Sequence, residues 1–209
     1  MENRGFTLTE LMISTAILVI ICALGMVAVQ AASTSSATAK SKAEVQDNVR
    51  DALEGMVAEL QLASKRTDIS LTPPLRALVV TNNPVAGSPV QVTFQTPEGG
   101  SGRNWSQPIT FRYINEDANA DGRLNSGEDI DGDRVLSRRI VRIQDLNGNG
   151  STNDAGETRP VGGANDMSTV TFALNGNVLT ITLTSQKLIG LRRTNPAQVT
   201  ISSDVYLEN

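Results

Sequence analysis

The chain has 209 residues, a formal net charge of -4 and a sequence pI near 4.9. No broad basic surplus exists to hold a phosphate backbone, so nucleic acid is not the expected partner. Histidine is absent, which removes the commonest general base, the commonest zinc ligand and any Ser-His or Cys-His dyad, so an enzyme is not expected.

In chain order, the first element is an apolar run from Leu11 to Val29 that carries no charge. At about 1.5 Å per residue it reaches roughly 28 Å, close to the hydrocarbon thickness of a bilayer. The single cysteine, Cys22, lies inside this run and has no partner for an intramolecular disulfide. An ordinary secretory signal has a basic start, a shorter apolar core and a cleavage site after that core. Here Arg4 is the one basic residue before the run, Gly5 also precedes it, and Glu10 stands at its mouth, where an unpaired carboxylate is costly.

The stretch Arg4-Gly5-Phe6-Thr7-Leu8-Thr9-Glu10-Leu11 resembles the processing site of type IV prepilins and type II secretion pseudopilins. The resemblance implies a cut between Gly5 and Phe6 by prepilin peptidase, methylation of Phe6, and assembly through Phe6 and Glu10. It also implies other pilins or pseudopilins and an inner-membrane assembly platform as partners. A single-pass inner-membrane protein follows, with a periplasmic globular domain that is extracellular once assembled in a pilus. The chemistry is consistent: a Glu10 carboxylate can neutralise the new Phe6 ammonium in an apolar core, and pairing between subunits would set axial register.

From Ala43 onward Val45, Val49, Leu53, Met56, Val57 and Leu60 recur at spacings of three and four, with charged residues mainly on the other side. This predicts an amphipathic helix continuing to about Arg66 and ending before Pro73-Pro74. The segment Val49–Leu60 resembles the corresponding helix of minor pilins of the PilW and GspJ type, and Val205–Asn209 resembles their endings.

Strands are predicted at Leu75–Thr81, Val90–Gln95, Ile109–Ile114, Val135–Ile143, Thr169–Leu174, Val178–Thr184 and Val199–Leu207. Asn175-Gly176 between two such runs signals a tight hairpin. Val85–Pro89 and Glu98–Ser106 read as loops. Arg134, Arg138, Arg139 and Arg142 alternate with apolar residues, which predicts a solvated strand face. The expected fold class is α+β: a long N-terminal helix packed on an antiparallel sheet, pilin-like. The expected layout is a leader at 1–5, a membrane or filament-core helix at 6–32, its amphipathic half at 33–66, and a β-rich domain at 67–209.

Two acidic loops interrupt that domain, at 117–133 and 145–157. In the first, Asp117, Asn119, Asp121, Asn125 and Glu128 match the oxygen-donor spacing of an EF-hand calcium loop. Gly122 stands at the turn, and Arg123 would offer its carbonyl. Asn125 would bind directly or through water, and the acids continue through Asp129, Asp131 and Asp133. Because Thr110–Ile114 reads as a strand, the loop is expected without paired helices. The second loop offers Asp145, Asn147, Asn149, Ser151, Asn153, Asp154 and Glu157, with its closing acid one place late. Calcium is the expected cofactor, as a structural clamp on loops that would otherwise repel. A glycosidase pair is disfavoured, because no separate acid and base environments can be identified.

These readings lead to a structural subunit, a minor pilin of a type IV pilus or a type II secretion pseudopilus. Two alternatives stand beside it. One is a calcium-dependent adhesin or DNA-uptake subunit of a pilus. The other is a membrane-anchored periplasmic calcium-binding protein that never polymerises.

Overall fold

The computed structural model describes residues 7–71, 74–82, 90–98, 104–117, 119, 121, 123–129, 136, 138–163, 166–187 and 197–207. Among the described residues one helix, α1 (Leu8–Leu60), precedes ten strands. They are β1 (Val79–Thr81), β2 (Val90–Phe94), β3 (Pro97–Glu98), β4 (Asn104–Trp105) and β5 (Ile109–Asn115). β6 (Arg138–Gln144), β7 (Thr158–Pro160), β8 (Met167–Asn175), β9 (Val178–Lys187) and β10 (Ala197–Tyr206) follow. The chain divides into two compact units, residues 1–41 and 42–209.

In the first unit α1 leaves its large apolar side chains exposed, from Leu8 through Val29. The two hydroxyls within the apolar run are satisfied by the helix itself. Ser14 Oγ donates to the Glu10 carbonyl at 2.8 Å, and Thr15 Oγ1 donates to the Met12 carbonyl at 3.0 Å. Such internal satisfaction is what a helix in lipid requires.

In the second unit α1 buries Val45, Val49, Ala52, Leu53, Met56 and Leu60. Their spacing forms one stripe at the α-helical period, as the sequence predicts, and Val57 packs half-buried beside it. The stripe shares a core with Phe94, Phe111, Phe172, Ile181 and Leu183 from the sheets. The rings of Phe94 and Phe111 lie 5.4 Å apart in a tilted arrangement. The helix also meets the loop after β7 closely. A Cβ on Gly163, whose φ is +71°, would stand 2.3 Å from the backbone oxygen of Asn48. Only glycine fits that approach.

α1 stops at Leu60 rather than near Arg66. Its last turn tightens, with Leu62 N–H on the Glu59 carbonyl at 3.2 Å and Ala63 N–H on the Leu60 carbonyl at 3.0 Å. The Ser64 carbonyl then accepts Leu78 N–H at 3.1 Å, and Asp68 bridges to Leu75. Burial of Ala63 and these long-range backbone bonds draw the chain off the helix path, overriding local propensity.

The strands form three antiparallel groups instead of one sheet. A five-stranded sheet has the order β1-β2-β5-β6-β7, a three-stranded sheet the order β10-β9-β8, and β3 pairs with β4. The predicted strands appear with shifted ends, but only Val79–Thr81 of the expected Leu75–Thr81 strand is in the sheet, Leu75 making an isolated bridge to Asp68. Val135 and Ser137 of the expected Val135–Ile143 strand lie outside the described residues. The Val85–Pro89 loop also lies outside them, and the Glu98–Ser106 loop contains the β3–β4 pair. β7 was not expected, because its three residues are polar and end in proline. The Asn175-Gly176 signal corresponds to the β8–β9 hairpin, where Asn175 pairs with Val178 and Gly176 takes φ +61°. Glycine with positive φ at the first central position suits a type II′ turn.

Candidate functional sites at the helix start and in two acidic loops

The helix start is built by Thr7 and Glu10. Thr7 N–H and Thr7 Oγ1 each donate to Glu10 Oε2 at 2.9 Å, and Glu10 N–H donates to Thr7 Oγ1 at 3.3 Å. This reciprocal pair is a capping box, which satisfies orphan groups of the first turn. Sequence reasoning singled out Glu10 and missed Thr7, although Thr-x-x-Glu before an apolar run is the signature of that motif. Gly5 and Phe6 lie outside the described residues. Among the described residues α1 is the one helix long and apolar enough to cross a membrane.

Loop 1 joins β5 to β6, and loop 2 joins β6 to β7. The register pairs Asn115 with Arg138 at one end and Ile109 with Gln144 at the other. The loops therefore leave opposite ends of β6, roughly 20 Å apart at about 3.4 Å per residue. They are separate sites and cannot share an ion pair of metals.

In loop 1 the closing residue Glu128 accepts Asn125 N–H on Oε2 at 2.9 Å and Asn119 N–H on Oε1 at 3.4 Å. Asp121 Oδ2 accepts the side-chain amides of Asn125 at 2.9 Å and Asn119 at 3.3 Å. Asp121 Oδ1 accepts Arg123 N–H at 2.8 Å. The bond from Asn125 leads in holding the Asp121 carboxyl below the usual aspartate range, with the Arg123 N–H next. Asp117 sits at the base of the loop. It is only 6% exposed, and Arg138 approaches its carboxylate at 3.8 Å. Asp129 is half-buried, and Asp131 and Asp133 lie outside the described residues.

Loop 2 repeats this scheme with different inward contacts. Glu157, 2% exposed, accepts Leu146 N–H at 3.0 Å and Asp154 N–H at 3.3 Å. Asp154 Oδ2 accepts the side-chain amides of Asn147 at 2.8 Å and Asn149 at 2.6 Å. These bonds hold the Asp154 carboxyl below its ordinary range, the Asn147 bond contributing most. Asp145 accepts Gly148 N–H at 2.7 Å and Gly150 N–H at 2.8 Å. Ser151 Oγ accepts Asn153 N–H at 3.2 Å.

In each loop, then, two asparagine amides stand against one carboxylate, where a cation would otherwise neutralise it. Among the described residues no three His, Cys, Asp or Glu side chains gather as a metal-holding group. The available donors are all oxygens of Asp, Asn, Ser and Glu, the kind suited to a hard cation such as calcium. The asparagines would have to rotate their amides to present oxygen to an ion.

The arginines of β6 are not a simple solvated face. Arg142 Nε donates to both carboxylate oxygens of Glu59, at 3.0 and 2.8 Å, and Arg138 faces Asp117. Arg134 lies outside the described residues.

The geometry defines an α+β protein in which the second half of a long N-terminal helix packs on antiparallel sheets. The family described as the prokaryotic N-terminal methylation motif matches residues 1–26. Over 64 residues, 31% of this chain, the sequence is 36% identical to the pilin-like protein PilA3 of Thermus thermophilus. That match covers 28% of the relative, so the aligned stretch spans little more than a quarter of it. No solved structure matches. The methylation motif, the apolar helix that follows it and the similarity to a pilin-like protein support a type IV pilin-like family for this chain.

Proposed function

We propose that this chain is a minor pilin of a type IV pilus or a type II secretion pseudopilus. It is cut between Gly5 and Phe6, methylated on Phe6 and packed into a fibre through α1. The single observation that carries this reading is the methylation motif over residues 1–26, running directly into an exposed apolar helix. A cut before that helix keeps the apolar run on the mature protein, where it can anchor in membrane and then pack among other pilins. The Glu10 carboxylate, bound by Thr7, would supply the counter-charge to the new Phe6 ammonium. The outward-facing domain is proposed to be clamped by calcium at loop 1 and loop 2, supported by their oxygen-only donor sets and closing glutamates.

Intact-mass measurement on protein extracted from native membranes and fibres tests this reading. The expected mature chain begins at Phe6 and carries one added methyl group, and Gly5→Ala accumulates the longer precursor. Glu10→Ala is expected to be processed yet poorly incorporated, since the ammonium loses its counter-charge. Full-length chain inside purified fibres would overturn the processing step. Wild-type incorporation of Glu10→Ala would overturn the pairing.

A further inference from the structure

We infer that Asn147 and Asn149 in loop 2 are sites of spontaneous deamidation, converting an amide-bridged loop into one closed by carboxylates alone. Both precede glycine, Gly148 and Gly150, whose missing side chains leave the backbone nitrogen open to the asparagine amide carbon. The same dipeptide occurs at Asn175-Gly176, which serves as an internal control.

The loop geometry separates these sites. Asn147 and Asn149 are exposed, and each folds its side chain back over the next peptide. Asn147 Oδ1 accepts Asn149 N–H at 3.0 Å, and Asn149 Oδ1 accepts Ser151 N–H at 2.7 Å. Each such turn folds the side chain along the following peptide, whose nitrogen must attack its amide carbon. The protons to be lost, on Gly148 N and Gly150 N, already lie on the two oxygens of the Asp145 carboxylate at 2.7 and 2.8 Å. A general base is thus in place at both nitrogens. Asn175, by contrast, is held in the extended β8–β9 ladder opposite Val178.

In the reaction Asp145 takes the glycine N–H proton while the nitrogen's electron pair forms a bond to Cγ. The proton passes to the side-chain nitrogen, the C–N bond breaks, and ammonia leaves. Water then opens the cyclic imide to aspartate or isoaspartate. One water is consumed and one ammonia released, with no change in oxidation state. Each conversion replaces an amide donor of Asp154 with a like charge, which increases the demand of loop 2 for a cation. That last consequence rests on the calcium reading; the hydrolysis does not.

The test is ageing of the full-length protein in detergent at mildly alkaline pH, with chelator or with calcium, followed by peptide mapping by mass spectrometry. The expected result in chelator is an amide-to-acid mass gain at Asn147 and Asn149, several-fold faster than at Asn175. Asp145→Asn should slow both. Conversion at Asn175 as fast as in loop 2, or an unchanged rate in Asp145→Asn, would overturn the inference. Calcium that engages the asparagine oxygens should slow conversion. Equal rates with and without calcium would support the deamidation while removing loop 2 from the calcium reading.

Discussion

Loop 1 and loop 2 use the same residue types, yet they are anchored to the domain differently. Each has a closing glutamate on backbone N–H groups and one aspartate gripped by two asparagine amides. At the base of loop 1 the first acid, Asp117, turns inward to Arg138 beside the half-buried Tyr113. In loop 2 the closing acid, Glu157, is the buried one, and Asp145 stays with its own loop. Similar spacing therefore makes similar local turns, while tertiary contacts decide which carboxylate belongs to the core.

The largest expected difference concerns alkaline pH at the base of loop 1. Burial pushes the Tyr113 hydroxyl up to about 12 from 10.0, with Arg138 opposing and Asp117 adding to the rise. Its O–H donates to the Met167 carbonyl at 2.6 Å. Because the folded value is raised, this contribution is complete below pH 10 and is lost as pH rises through about 12. The loss should approach roughly 2–3 kcal/mol at about 1.4 kcal/mol per pH unit. Denaturant titrations between these limits should show it, and Tyr113→Phe should remove this component. An unchanged slope in that variant would show that the alkaline response arises elsewhere.

Next comes the contrast between the closing acids. Glu157→Ala should destabilise the domain by about 1–3 kcal/mol, because Leu146 N–H and Asp154 N–H lose a partly buried acceptor. Glu128→Ala should cost less, since Glu128 is only half-buried and water can replace it. Urea melts of the two variants rank them, and equal losses would erase the proposed difference in anchoring.

Calcium sharpens the same comparison. On the proposed reading, free calcium at ten times its dissociation constant adds about 1.4 kcal/mol by mass action. That corresponds to a melting-point rise of about 3–6 °C for a domain of this size. Glu128→Gln should remove the part of the rise due to loop 1 and leave that of loop 2. Flat titration calorimetry at millimolar calcium would leave both as amide-bridged turns.

The smallest effect is local. The Asp121 and Asp154 carboxyls are depressed below 3.8 by their amide bonds. Depressed groups contribute order above the unfolded value and lose it as pH falls through the folded one. Amide protection in metal-free protein, taken relative to the intrinsic exchange rate at each pH, should therefore fall in both loops below pH 4, before the core opens. Exchange confined to one loop would break the parallel.

Much of this was readable from residues close together in the chain. The Gly5-Phe6 motif, the Leu11–Val29 run, the stripe from Val45 to Leu60, the hairpin at Gly176 and the spacing of both loops are short-range patterns. The Gly5-Phe6 motif is read from its resemblance to prepilins; the others depend on helical or strand periodicity or on turn chemistry, so neighbouring residues suffice. Tertiary structure alone ended α1 at Leu60, split the strands between sheets and set the loops at opposite ends of β6. It also paired Arg142 with Glu59 and turned Asp117 toward Arg138. Those outcomes join residues tens of positions apart. Burial and charge pairing select them only once the chain has closed on itself, and no local period encodes them.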